Sequence, residues 1–201
     1  MDKLFAPGCA LRKYKPHLIY KIKNFLLENG IANGEYEPCC KELLNPQEDT
    51  ILINCCPGCS HMFETKFLNV RSVTLWKILL NTDFPFPDYH GEKMTIHDSC
   101  HARNRNSTEM QIASRELCRR MNIKLVEPAD NFNEAKCCGG SAKDYETRKK
   151  MALERAKDFP EKNAVVYCTG CVRSFSLTDV HPRHMLDLLF NEPTEGLTVK
   201  K

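Results

Sequence analysis

The sequence predicts an α/β protein of two pseudo-repeated halves, each a small, mainly parallel sheet flanked by helices, with cysteine turns at the carboxyl ends of the strands. Three observations lead there. Short apolar runs at residues 3–6, 51–54, 93–97 and 164–167 each stop just ahead of a cysteine. Helical apolar spacing follows those turns. The cysteines also run twice in one order: Cys9, Cys39-Cys40, Cys56-x-x-Cys59, then Cys100, Cys137-Cys138, Cys168-x-x-Cys171. Strand, cysteine turn and helix form the recurring unit, and a crossover through a helix makes consecutive strands parallel.

Taken in order, residues 3–6 form a strand that enters the turn Pro7-Gly8-Cys9. Leu18, Ile22, Phe25 and Leu26 then recur at helical spacing up to a stop at Asn29-Gly30. Residues 51–54 are a buried strand running into Cys56-Pro57-Gly58-Cys59, and a helix carries Met62, Phe63 and Phe67. Residues 73–80 are a further apolar segment. Pro85 and Pro87 break regular structure and mark a linker at residues 83–88, which sets the halves at 1–88 and 89–201.

The second half repeats the plan. Residues 93–97 are a strand, Asp98-Ser99-Cys100 a turn, and residues 107–121 a helix that Ser107 or Thr108 can cap. Residues 123–126 are a second strand and residues 144–157 a helix with a charged outer face. Residues 164–167 lead directly into Cys168-Thr169-Gly170-Cys171.

Composition narrows the function classes. The chain has 201 residues, 42% of them hydrophobic and 27% charged, which is a globular composition. Its 29 basic and 26 acidic residues are interleaved rather than blocked, which argues against a nucleic-acid partner. No apolar stretch approaches the roughly 18 to 20 residues of a membrane span, and the opening residues lack an apolar signal core, so a cytoplasmic location is expected. In a reducing compartment, cysteines in so clear an order read as metal or redox ligands rather than disulfides. There is no glycine-rich dinucleotide or phosphate loop and no serine-nucleophile elbow.

A lone Cys-x-x-Cys is compatible with zinc, thiol-disulfide exchange or an iron-sulfur cluster. The vicinal pairs say more. Neighbouring side chains diverge, so Cys39-Cys40 and Cys137-Cys138 suit a core with several metal atoms. Five thiols per half exceed what one tetrahedral ion uses, and sulfur-rich ligation of this extent favours polynuclear iron over mononuclear zinc.

These residues resemble a known family. Cys100-x36-Cys137-Cys138-Gly139-x28-Cys168-x2-Cys171, with the flanks Ile96-His97-Asp98-Ser99-Cys100-His101 and Lys136-Cys137-Cys138-Gly139-Gly140, is similar to the cysteine-rich CCG domain found twice in the B subunit of heterodisulfide reductase. In the first half, Phe5-Ala6-Pro7-Gly8-Cys9 and Cys56-Pro57-Gly58-Cys59 resemble the equivalent positions. The resemblance implies a noncubane [4Fe-4S] cluster in each half. One would be held by Cys9, Cys39, Cys40, Cys56 and Cys59, the other by Cys100, Cys137, Cys138, Cys168 and Cys171. It also implies cleavage of a thiol/disulfide substrate, or electron transfer alone. With no nucleotide-cofactor motif of its own, the chain is expected to receive electrons from a flavin- or ferredoxin-like subunit. The first half departs from the pattern in two ways. Lys41 stands where glycine follows the vicinal pair, and only 15 residues separate Cys40 from Cys56, against 29 between Cys138 and Cys168. The first site is therefore expected to be the weaker one.

Several other residues carry expectations. His97 and His101 flank Cys100 and either donate protons to a substrate thiolate or bond to the centre from behind its ligands, their ordinary pKa being near 6.5. Cys118 reads as a small buried hydrophobe in its helix, and Cys55 as either a packed strand-end residue or a spare ligand. Arg103, Arg105 and Lys136 form a basic edge, while His181 and His184 are not expected to be ligands.

Overall fold

Among the described residues of the computed structural model every strand pairing is parallel, and two four-stranded sheets share one topology, β2-β1-β3-β4 and β6-β5-β7-β8. The structure describes residues 1–38, 46–67, 69–103 and 107–196. The chain divides into two compact units, Met1–Thr82 and Asp83–Lys201.

The first unit opens with β1 (Lys3–Ala6), which pairs with β2 (Gly34–Glu35) on one side and β3 (Ile51–Asn54) on the other. Between β1 and β2, a short helix α1 (Cys9–Tyr14) precedes α2 (Pro16–Glu28). Lys15 interrupts them with φ −139° and ψ 70°, and Pro16, needing no helical N–H partner, restarts the helix at its first turn. α2 buries Leu18, Ile19, Ile22 and Leu26 along one stripe. Fully burying each such side chain stabilises the unit by about 1.5–3 kcal/mol. The helix stops at Asn29, and Gly30 takes φ 63°, a left-handed conformation that glycine tolerates without strain. After β3 come α3 (Pro57–Lys66), β4 (Arg71–Thr74) and α4 (Leu75–Leu79). The apolar segment at 73–80 is thus not one element. Thr74 ends the strand and caps the helix, its hydroxyl accepting from the Trp76 amide at 3.4 Å.

The second unit follows the same order with β5 (Lys93–Ile96), α5 (Ser107–Arg120), β6 (Lys124–Leu125), α6 (Tyr145–Ala156), β7 (Asn163–Val166), α7 (Thr169–Phe175), β8 (His181–His184) and α8 (Met185–Leu189). Residues 83–88 belong to this unit, where the buried Phe84 packs edge-on against Phe190 at 5.7 Å. Asp144 caps α6 by accepting the Thr147 amide at 2.8 Å. His184 repeats the role of Thr74, its ring accepting from the Leu186 amide at 3.2 Å. α6 has no counterpart among the described residues of the first unit.

The strand order decides where a ligand can sit. The chain leaves β1 toward β2 on one side and passes to β3 on the other, and β5 and β7 flank the same kind of reversal. Such a switch point opens a crevice beyond the carboxyl ends of the two central strands. Cys9 and Cys56 follow β1 and β3, and Cys100 and Cys168 follow β5 and β7. Among the described residues, no helix is long and apolar enough to cross a membrane.

Candidate metal centre

Cys100 follows β5 by way of His97, Asp98 and Ser99 and begins a single 3-10 turn, Cys100–Ala102, with the Ser99 hydroxyl accepting the His101 amide at 3.4 Å. Cys168 caps α7, and Cys171 lies one turn later on the same helix. Cys137 and Cys138 arrive on the long connection between β6 and α6. Their side chains diverge. Cys137 Sγ lies 3.4 Å from Cys100 Sγ, while Cys138 Sγ lies 3.3 Å from Cys171 Sγ. The vicinal pair therefore bridges the carboxyl end of β5 and the first turn of α7.

Glycines make that approach possible. Gly139 has φ 78°, and a Cβ there would come within 2.9 Å of Met151 Cβ and 3.1 Å of the Arg148 carbonyl on α6. A Cβ on Gly140 would lie 2.8 Å from the backbone carbonyl of Gly170, which sits between Cys168 and Cys171.

The thiols are electrostatically unequal. Hydrogen bonding from Cys100 and Cys138, with the Gly139 amide 3.3 Å from its sulfur, holds Cys137 down to about 2. Cys168 is lowered to about 6 by Cys171 and by the amides of Cys171 and Gly170. Cys100 moves up because it sits against the Cys137 sulfur and is partly desolvated. The same neighbour and burial push Cys138 up to about 12, and Cys171 rises well above its ordinary value beside Cys138 and Cys168. Hydrogen bonding thus favours the thiolate form at Cys137 and Cys168, while burial and neighbouring sulfurs favour the thiol form at the other three.

Residues 94–176 match the family model of the CCG cysteine-rich domain. The match contains all five of these cysteines and lies within the second unit. The chain matches no curated protein. The CCG match and the clustered thiols together point to a metal-binding or iron-sulfur role.

Behind the CCG cysteines stand side chains that sequence reasoning passed over. Asp98, fully buried, accepts from Arg115 at 2.8 and 3.1 Å, from the Tyr167 hydroxyl at 2.8 Å and from the Phe132 amide at 2.7 Å. Arg115 also bonds Glu127 at 2.8 and 2.9 Å and stacks on Phe132, 3.8 Å from the ring centre. This network ties the turn before Cys100 to α5, to the loop leading to Cys137 and to the residue before Cys168. A signal was present: an aspartate in Asp98-Ser99-Cys100, at the end of an apolar strand, is placed where its charge must be answered.

His97 is buried, with its ring edge-on to Phe175 at 5.0 Å and tilted against Phe159 at 6.0 Å. Burial, with the nearby Arg155 cation adding to it, lowers its pKa to about 3, so the ring is neutral at physiological pH and the ordinary imidazole range does not apply. One of its ring nitrogens lies within 4.8 Å of the sulfurs of Cys138 and Cys171. His101 is half-buried, its Nδ1 3.9 Å from Cys100 Sγ. Of the basic edge, Arg103 bonds the Ala135 carbonyl, and Lys136 pairs with Asp130 at 3.0 Å and Asp158 at 3.1 Å. Arg105 lies outside the described residues. Cys118 is buried in α5, where desolvation raises it to about 12 and keeps it a thiol.

The first unit places Cys9 at the first position of α1, Cys56 at the cap of α3 and Cys59 in the first turn of α3, the positions of Cys100, Cys168 and Cys171. Gly8 has φ 83°, and a Cβ there would stand 2.7 Å from Cys59 Sγ, so this thiol lies directly against the turn bearing Cys9. Tyr36, Phe63 and Phe67 pack beside Cys59. Cys39, Cys40 and Lys41 lie outside the described residues. Cys55 is fully buried and donates to the Pro7 carbonyl at 3.5 Å, and desolvation keeps it a thiol. It stands where Tyr167 stands in the second unit. Both residues precede a strand-end cysteine and bond back to the turn after the first central strand.

Proposed function

We propose that the chain is an iron-sulfur oxidoreductase subunit of the heterodisulfide reductase B type, carrying a noncubane [4Fe-4S] cluster on Cys100, Cys137, Cys138, Cys168 and Cys171. A second cluster is assigned to Cys9, Cys39, Cys40, Cys56 and Cys59. The supporting observation is the divergence of the vicinal thiols, Cys137 toward Cys100 and Cys138 toward Cys171, at 3.4 and 3.3 Å. A single tetrahedral ion needs four ligands converging on one point, whereas a core of several irons accepts two separated pairs and a fifth sulfur. The donor set is soft, as iron-sulfur chemistry requires.

When bound, the cluster supplies single electrons. Cleaving a disulfide takes two electrons and two protons and yields two thiols, which fits a substrate of the thiol/disulfide class and a flavin- or ferredoxin-like donor subunit. The chain's own residues hold the sulfurs at a strand-end crevice, keep two of them anionic, and place the half-buried His101 beside Cys100 to hand on a proton.

Anaerobic purification with iron and sulfide analysis tests the reading. About eight irons and eight sulfides per chain are expected, and about four would leave one centre only. Stoichiometric zinc without sulfide contradicts the proposal. Loading has a second signature. Cys100, Cys138 and Cys171 must lose protons to bind metal, whereas Cys137 and Cys168 already lack them. Filling the second site at pH 7 is therefore expected to release about three protons from the thiols, beyond those shed by the hydrosulfide that supplies the sulfide of the centre, with affinity falling as pH falls. Calorimetry of the Cys40→Ser chain in buffers of different ionisation enthalpy measures the total, the protons of the incorporated sulfide are subtracted, and five from the thiols would contradict the charge assignment.

A further inference from the structure

Arg155 is fully buried although it belongs to α6, a helix of largely charged residues. Its Nε donates to His97 Nδ1 at 3.4 Å, its Nη2 to the Asp130 carbonyl at 2.7 Å, and its Nη1 lies 3.5 Å from Asp158. The guanidinium also lies over the Phe159 ring, 5.0 Å from its centre. A guanidinium only donates, so the His97 nitrogen facing it must be the one without a proton. The single proton of the neutral ring then sits on Nε2. That atom is buried and has no hydrogen-bond partner among the described residues, and the ring beside it reaches within 4.8 Å of Cys138 and Cys171. A buried N–H left without an acceptor is costly, and the sulfurs of Cys138 and Cys171 are the acceptors that the described residues set beside this ring.

We propose that Arg155 fixes His97 as the Nε2–H tautomer, and that His97 donates this hydrogen bond to the sulfur of the bound centre rather than ligating metal. The inference rests on the reading of the second unit as a thiolate metal site. Arg155 is a positioning residue with a second effect. It sets a buried positive charge behind the donor, and both favour the more reduced, more negative centre, raising its reduction potential. A ring held between Phe159 and Phe175 keeps that donor aimed without the freedom of a surface histidine.

Histidine 15N shifts in the reduced, metal-free protein test the tautomer independently of which metal binds. A protonated Nε2 and bare Nδ1 are expected, and a protonated Nδ1 overturns the proposal even if iron is present. In protein reconstituted with iron and sulfide, His97→Gln, whose amide can still donate, is expected to keep the wild-type metal content and a near-wild-type potential. His97→Leu and Arg155→Met are expected to keep metal but shift the potential negative, with only weak 15N coupling to the reduced centre in wild type. Loss of metal in His97→Gln together with strong 15N coupling in wild type would make His97 a ligand and overturn the proposal. Unchanged potential in Arg155→Met would overturn the electrostatic part. Zinc without sulfide would instead defeat the iron-sulfur reading while leaving the tautomer result standing.

Discussion

Replacing Asp98 by alanine is expected to destabilise the second unit by about 3 kcal/mol and to empty its metal site. Removing one member of a buried ion pair costs about 3–5 kcal/mol because the other charge is stranded. The lower end applies here, since Arg115 keeps Glu127 as a partner at 2.8 and 2.9 Å. The Tyr167 hydroxyl and the Phe132 amide would also lose their acceptor. Both positions bear on the ligands: Tyr167 precedes Cys168, and Phe132 lies on the path to Cys137. Urea unfolding and metal content measured on the same preparation check the result. Asp98→Ala combined with Arg115→Met is expected to cost less than the two separate losses added, because no buried cation is then stranded. Strict additivity would show that the network is not a unit.

Gly140→Ala is expected to have a comparable effect for a different reason. The new Cβ would lie 2.8 Å from the Gly170 carbonyl carbon and oxygen and 3.1 Å from its Cα, and no flexible side chain is there to yield. Overpacking of this kind costs about 1–3 kcal/mol. The displacement falls between Cys168 and Cys171 on one side and next to Cys137-Cys138 on the other, so most bound metal should be lost. Gly91→Ala is the control. Gly91 has φ 78° with nothing within 4 Å of a Cβ, so that substitution carries only the left-handed backbone penalty of about 1–2 kcal/mol and should leave metal content unchanged. Equal metal loss in both variants would show that general instability, not the approach to Gly170, is responsible.

The strands that end in cysteine were legible because each is a short apolar run with a turn behind it, paired on both sides and buried. Of the edge strands, β6 was legible within residues 123–126, but β2 and β8 were not. β2 is only Gly34–Glu35, and β8 is His181-Pro182-Arg183-His184, a polar sequence whose extended form comes from pairing with β7. Proline is tolerated at such an edge, and nothing in hydrophobic periodicity reports it. The cysteine spacing likewise exposed the thiols but not their setting. Arg155 read as part of a charged outer face, yet it is buried: His97 and Asp130 are brought to it from distant parts of the sequence, and Asp158 and Phe159 close over it from the turn after its own helix.

Lys41 shows a different limit of sequence reading. Glycine at 139 answers both a positive φ and the crowding of α6 at Met151 and Arg148. The described part of the first unit has no helix equivalent to α6, so the crowding that excludes a side chain at 139 has no described source there.

The central claim is that the divergent thiols of the second unit hold one iron-sulfur centre by themselves. Iron and acid-labile sulfide measured in anaerobically purified Cys40→Ser protein test it most directly, because the first site is disabled while the second is intact. About four irons and four sulfides per chain are expected. One zinc without sulfide, or no metal in a folded chain, would contradict the account.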